Sequence, residues 1–157
     1  MKKKLTVYLI SIAYMTGVKA ISLEDLYKLQ PNLKPEKAVQ LHHSIMHNSY
    51  KYNFKPELFT AILFQESSFN LGAVNKKSPD FGIGQITLRT AKHFCPNIKR
   101  LLTDLKYSVG CAAKVLSDFK KRYEKREKYY WTRYHSSSSI RRRDYKQRIK
   151  RILNVIK

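Results

Sequence analysis

The stretch that most constrains this chain runs from Phe54 to Ile86. It opens as an apolar helix, carries Glu66 near its far end, and closes on Gly82-Ile83-Gly84-Gln85. Pro56 suits the first helical turn, because the amide it lacks would have no intrahelical partner there. Leu58, Phe59, Ile62, Leu63 and Phe69 then recur at helical spacing. Glu66 lies four residues after Ile62 and three before Phe69, so it falls on the apolar stripe rather than opposite it. A carboxylate in apolar surroundings is costly to ionise, which raises its pKa. An acid held protonated near neutral pH can act as a general acid.

The helix should break soon after this residue. Asn70 and Gly72 are helix stoppers, and Asn75-Lys76-Lys77-Ser78-Pro79-Asp80 is turn chemistry. Gly82 and Gly84 bring bare backbone close to a neighbour, and Gln85 offers both a donor and an acceptor. A protonated acid beside a glycine-lined cleft with an amide suits a sugar better than a phosphate. The residues alone also admit a structural reading, in which Glu66 pairs with one of the chain's many lysines or arginines.

Ala61-Ile-Leu-Phe-Gln-Glu66-Ser67-Ser-Phe69-Asn70, then Ala73-Val74-Asn75, then Asp80-Phe-Gly82-Ile-Gly84-Gln85-Ile86 resembles the soluble lytic transglycosylase (SLT) family. The resemblance covers most of residues 21–157 and is strongest from Phe59 to Ile86. It implies a mainly α, lysozyme-like helical domain with a catalytic cleft. The family signature is a Glu-Ser pair on a helix, a Gly-x-x-Gln segment, and a Tyr-Asn segment near the end.

The remainder of the chain fits a single helical domain. Its 157 residues suit one core of ordinary size, and 43% hydrophobic residues are globular rather than disordered. Only five glycines and five prolines argue against a turn-rich β-protein. Met1-Lys2-Lys3-Lys4, the apolar run Leu5 to Met15, and Val18-Lys19-Ala20 read as a secretory signal over residues 1–20. An uncleaved N-terminal anchor is the competing reading. The run is short for a membrane span, and no later stretch would cross a bilayer. Removing residues 1–20 takes away four lysines and no acid, leaving 28 basic and 11 acidic residues, a net of +17. Such a charge favours an anionic partner. For an exported chain that means wall polymer, headgroups or an acidic protein, and nucleic acid is not expected. A lysine-rich surface with no dedicated partner is the other reading.

Ser22-Leu-Glu24-Asp25 reads as a helix start, and Pro31 should end that helix. Pro35-Glu36 opens another, which carries His42, His43 and His47. No cysteine or acid stands near them at zinc-site spacing, so no metal site is expected. Thr87 to Phe94 and Asp104 to Lys121 are further helices, with Gly110 permitting close packing in the second. Cys95 and Cys111 either bridge the second helix to the preceding loop or remain two buried thiols. Tyr129 to Ser136 is aromatic and polar together, as a sugar groove or an aromatic core cluster would be. Arg141 to Lys157 reads as a basic terminal helix with Ile149, Ile152, Leu153 and Ile156 on its apolar side, its charges a solvated face.

The resemblance implies cleavage of the β-1,4 bond between N-acetylmuramic acid and N-acetylglucosamine in peptidoglycan glycan strands, with no cofactor. Glu66 would be the one catalytic acid and base, and the product a 1,6-anhydro sugar. Ser67, Gly82 and Gln85 would line the substrate, and Tyr134 would hydrogen-bond Glu66 and orient it. His135 stands where the family usually has asparagine. A hydrolytic muramidase using Asp80 to activate water, and a non-catalytic basic envelope-binding protein, are the alternatives. A small exported enzyme of this kind could serve a secretion or conjugation apparatus, wall turnover or a phage.

Overall fold

The computed structural model describes residues 20–156, which form seven α-helices, one 3-10 helix and three two-residue strands. The expected export signal over residues 1–20 lies outside the described residues, apart from Ala20. Among the described residues no helix is long and apolar enough to cross a membrane.

Helix α1 (Leu23–Leu29) starts on a reciprocal cap: Ser22 Oγ accepts from the Asp25 amide, and the Asp25 carboxylate accepts from the Ser22 amide. Helices α2 (Pro35–Tyr52) and α3 (Pro56–Ser67) each place a proline in the first turn. Strands β1 (Val74–Asn75), β2 (Asp80–Phe81) and β3 (Ile86–Thr87) form a small antiparallel sheet in sequence order. Its register pairs Val74 with Phe81 and Phe81 with Ile86. The polar turn expected at 75–80 is thus the tip of a hairpin. Strands of two residues leave no alternation to read.

After β3 come α4 (Leu88–Phe94), α5 (Ile98–Thr103) and α6 (Leu105–Tyr123). The short α5 was not expected beyond Pro96-Asn97; Asn97 caps it by accepting from the Arg100 amide. Asp104 caps α6 in the same way, accepting from the Tyr107 amide. The 3-10 helix η1 (Tyr130–Tyr134) leads to α7 (Ser139–Val155).

The core is built where α2 packs on α6 and where α3 packs on α7. Leu41, Ile45, Phe59, Ile62, Leu63, Leu101 and Leu116 are completely buried in it. Cys95, at the end of α4, is bridged to Cys111 on α6, with the Cα atoms 6.0 Å apart. Of the two cysteine readings, the bridge is the one found. The aromatic segment also divides: Trp131 is buried core, edge-on to Tyr129 and tilted against Tyr145. Gly110 does not serve close packing as expected. A Cβ there would meet only Asn48 Oδ1, at 4.0 Å.

The apolar stripe of α3 ends differently from the sequence reading. Ser68 and Phe69 both adopt left-handed backbone, with φ of 51° and 62°. The helix therefore stops before Asn70, and Phe69 is not on it. That conformation is costly for a bulky residue. It is offset by complete burial of the Phe69 ring, which packs 5.3 Å from Phe64. The reversal turns the chain away immediately after Glu66 and Ser67, leaving both at the helix end that faces the sheet.

Candidate active site

Glu66 sits half-buried in the last turn of α3. Its Oε1 accepts a hydrogen bond from the hydroxyl of Tyr145 on α7, at 2.7 Å. Burial is the main cause that lifts the Glu66 pKa from 4.5 to about 7. The Tyr145 hydrogen bond and the charge of Arg148 pull it down, and the charge of Asp80 pushes it up. Among the described residues no salt bridge includes Glu66. Its partner is a neutral phenol, which removes the structural ion-pair reading.

Tyr134 does not make the hydrogen bond expected of it. Its hydroxyl donates to the Gly84 carbonyl at 2.8 Å. The phenol still lies near enough to Glu66 for that charge to raise its pKa, after burial as the larger cause. Tyr134 thus ties η1 to the glycine segment, and Tyr145 holds the carboxyl. Tyr145 is completely buried, and its pKa is pushed well above 10 by burial first and by Glu66 second. It therefore stays a donor at every working pH.

Tyr145 was missed because the C-terminal basic run masks it. The signal was present: Tyr145 is four residues before Ile149 and continues the stripe of Ile149, Ile152 and Ile156. His135 stacks on the Tyr145 ring, with centroids 4.6 Å apart and planes 4° from parallel. Partial burial lowers the His135 pKa, Arg148 and Arg141 lower it further, and Asp80 opposes them. The imidazole, exposed on its outer side, is a flat neutral surface at the edge of the cleft.

The Gly82-Ile83-Gly84-Gln85 segment is seated by contacts that leave no room for larger residues. A Cβ on Gly82, where φ is +74°, would come within 2.4 Å of the Leu101 carbonyl oxygen. One on Gly84 would come within 2.7 Å of both Ala112 Cβ and the Tyr134 hydroxyl. Gly82 is buried, so it lets the segment approach α5 and α6 and does not line the substrate as expected. Ser67 Oγ donates to the Ile83 carbonyl at 2.8 Å, and Gln85 Nε2 donates to the carbonyls of Gly82 and Ala73. Ser67 uses its donor to hold the segment against the end of α3, and Gln85 uses its amide to close the segment on itself and tie it to the loop before β1. What they offer a ligand is acceptor oxygen.

Asp80 lies on β2, with Oδ2 accepting from Ser78 and Asn75 and Oδ1 buried without a partner. The histidines of α2 take no part in the site; His42 bonds the Ile21 carbonyl, and among the described residues no metal-holding cluster exists.

The family model described as the transglycosylase SLT domain matches residues 43–153, from α2 to the end of α7. The chain belongs to the transglycosylase SLT domain family. No curated protein and no solved structure matches it. For this SLT domain, membership gives the mainly α, lysozyme-like fold and points to transglycosylase-type, peptidoglycan-lytic activity in general, at the cell envelope. The matched span holds Glu66, Ser67, Gln85, Tyr134 and Tyr145 together.

Proposed function

We propose that this SLT domain is a lytic transglycosylase that cleaves the N-acetylmuramic acid to N-acetylglucosamine β-1,4 bond with Glu66 as both acid and base. The observation that carries the reading is a half-buried carboxyl with a pKa of about 7 whose hydrogen-bond partner is a neutral phenol. Most glycosidases divide acid and base between two carboxylates. Here one residue serves in turn. Glu66 gives its proton to the glycosidic oxygen as the bond to C1 of the muramic sugar breaks. The N-acetyl carbonyl of that sugar stabilises the positive C1. The C6 hydroxyl then attacks C1, and its proton passes to the Glu66 carboxylate. A 1,6-anhydro ring results, Glu66 is again protonated, and no water is consumed.

Tyr145 orients Glu66 by its 2.7 Å hydrogen bond. Ser67, through its lone pairs, and Gln85, through Oε1, position acetyl or hydroxyl groups. The His135 face on Tyr145 supports a sugar ring. Residues 1–20 act as an export signal and residues 21–157 as the catalytic domain, which places the enzyme in the periplasm or envelope. A secretion or conjugation apparatus is a fitting partner for a wall-opening enzyme of this kind.

Two substitutions test this reading. Tyr145→Phe removes the donor to Glu66, so cleavage should fall about tenfold, as expected for loss of a hydrogen bond to a charged group. Because that bond lowers the Glu66 pKa, the pH at which kcat/KM falls should move upward. A merely structural loss would leave that pH unchanged. Asp80→Asn should retain activity within about threefold, since the Asp80 charge is a smaller cause of the raised Glu66 pKa than burial. A hydrolase using Asp80 as its base predicts a loss as large as that from changing Glu66, with reducing rather than anhydro ends among muropeptides released from purified sacculi.

A further inference from the structure

A second concave site lies beside η1 and the first turns of α7. The groove between η1 and α7 has a volume of about 300 Å³ and is lined by Lys128, Arg142, Arg143 and Lys146. None of Glu66, Gln85, Tyr134, His135 and Tyr145 lines it. The groove is therefore separate from the Glu66 cleft.

Its one acid, Glu127, does not neutralise it. The Glu127 carboxylate accepts from Arg142 at 2.7 Å and from Arg133 Nε at 3.0 Å, so two guanidiniums already share it. These pairs hold Arg142 in place while its Nε remains buried without a hydrogen-bond partner. Lys146 Nζ stands 3.7 Å above the Tyr129 ring, with Lys128 at 5.8 Å and Lys150 at 5.9 Å from the same ring. Three ammonium groups around one aromatic ring repel one another, and the ring face offsets part of that repulsion. The first turn of α7 carries no acid, and the nearest one after it, Asp144, is an exposed partner of Arg143 at 3.6 Å, which leaves the groove with more cations than acids.

We propose that this groove binds a phosphate group. The local excess of positive charge matches a dianion with three acceptor oxygens better than a single carboxylate. Arg142 and Arg143 supply planar forks, and Lys128 and Lys146 supply point charges, the combination that suits phosphate. The group can come from free phosphate or from an anionic lipid headgroup, and either source is available to a protein at an envelope. The proposal stands independently of the role of Glu66.

The test titrates inorganic phosphate against the full chain at fixed ionic strength, by calorimetry and by amide shifts in nuclear magnetic resonance. Binding should saturate at one site, with the largest shifts at Thr132 and Ser139, which also line the groove. Lys128→Gln/Lys146→Gln should weaken it at least about tenfold, because two charge-assisted bonds are lost. Lys92→Gln/Lys99→Gln removes the same charge from exposed positions elsewhere and should change it less than about twofold. Vesicles of phosphatidic acid, whose headgroup is a phosphomonoester, with phosphatidylcholine as control, identify the source. A headgroup ligand requires that free phosphate compete with the vesicles and that the groove variant alone lose vesicle binding. Saturable phosphate binding with vesicle binding equal in the two variants assigns free phosphate. Equal weakening of phosphate binding in both variants, or binding that never saturates, would overturn the proposal.

Discussion

Glu66→Gln is expected to yield a folded protein that has lost nearly all bond cleavage. Glutamine keeps the shape of glutamate and can still accept from the Tyr145 hydroxyl, but it carries no transferable acid proton. General acid–base catalysis typically supplies about 10²–10⁴-fold, and in the proposed mechanism one residue performs both halves. The loss should therefore lie at the upper end of that range or beyond it.

The same substitution should change stability in a pH-dependent way. Between 4.5 and about 7 the native state holds a proton on Glu66 that the unfolded chain has released. Native protonation is thus a stabilising contribution fully present below pH 4.5 and lost as pH rises through about 7. Glutamine escapes that loss. The variant should gain on the wild type as pH rises through this window, by up to about 3 kcal/mol above it, as urea unfolding at pH 5 and pH 8 would measure. In the wild type, kcat/KM should fall above about pH 7, because the free enzyme must carry the proton.

The second large effect concerns the Cys95–Cys111 bridge, which spans 16 residues and ties the end of α4 to the middle of α6. A loop of this size restricts the unfolded chain by about 3 kcal/mol. Replacing both cysteines with alanine should lower Tm by roughly 6–12 °C in a domain of this size. A scan of the reduced wild type should show the same drop. Equal Tm values for oxidised and reduced protein would mean that the bridge does not restrain the native fold.

The helices were legible because their signals are local and repeated. Pro56, the Ser22 cap and the apolar spacing of α6 each declare an element within a few residues. The candidate acid was legible for the same reason, since Glu66 sits on the stripe of its own helix. What holds that carboxyl was not. Tyr145 is 79 residues away in the chain, and only the packing of α7 on α3 brings the two together. The basic residues around Tyr145 drew attention to the outer face of α7. The roles of Gly82 and Gly84 were half legible: two glycines signal a close approach, but the Leu101 carbonyl and Ala112 that they approach come from later helices. Phe69 was misread because a left-handed turn at a bulky residue leaves no mark in the sequence, and its burial is achieved by tertiary packing.

The claim that Glu66 alone acts as acid and base is tested most directly by the fate of water. Purified sacculi digested in water enriched in oxygen-18 should release muropeptides whose new ends carry no heavy oxygen and whose mass is that of the 1,6-anhydro sugar. New ends carrying one heavy oxygen per cleaved bond would contradict the account, because water and not the C6 hydroxyl would then have attacked C1.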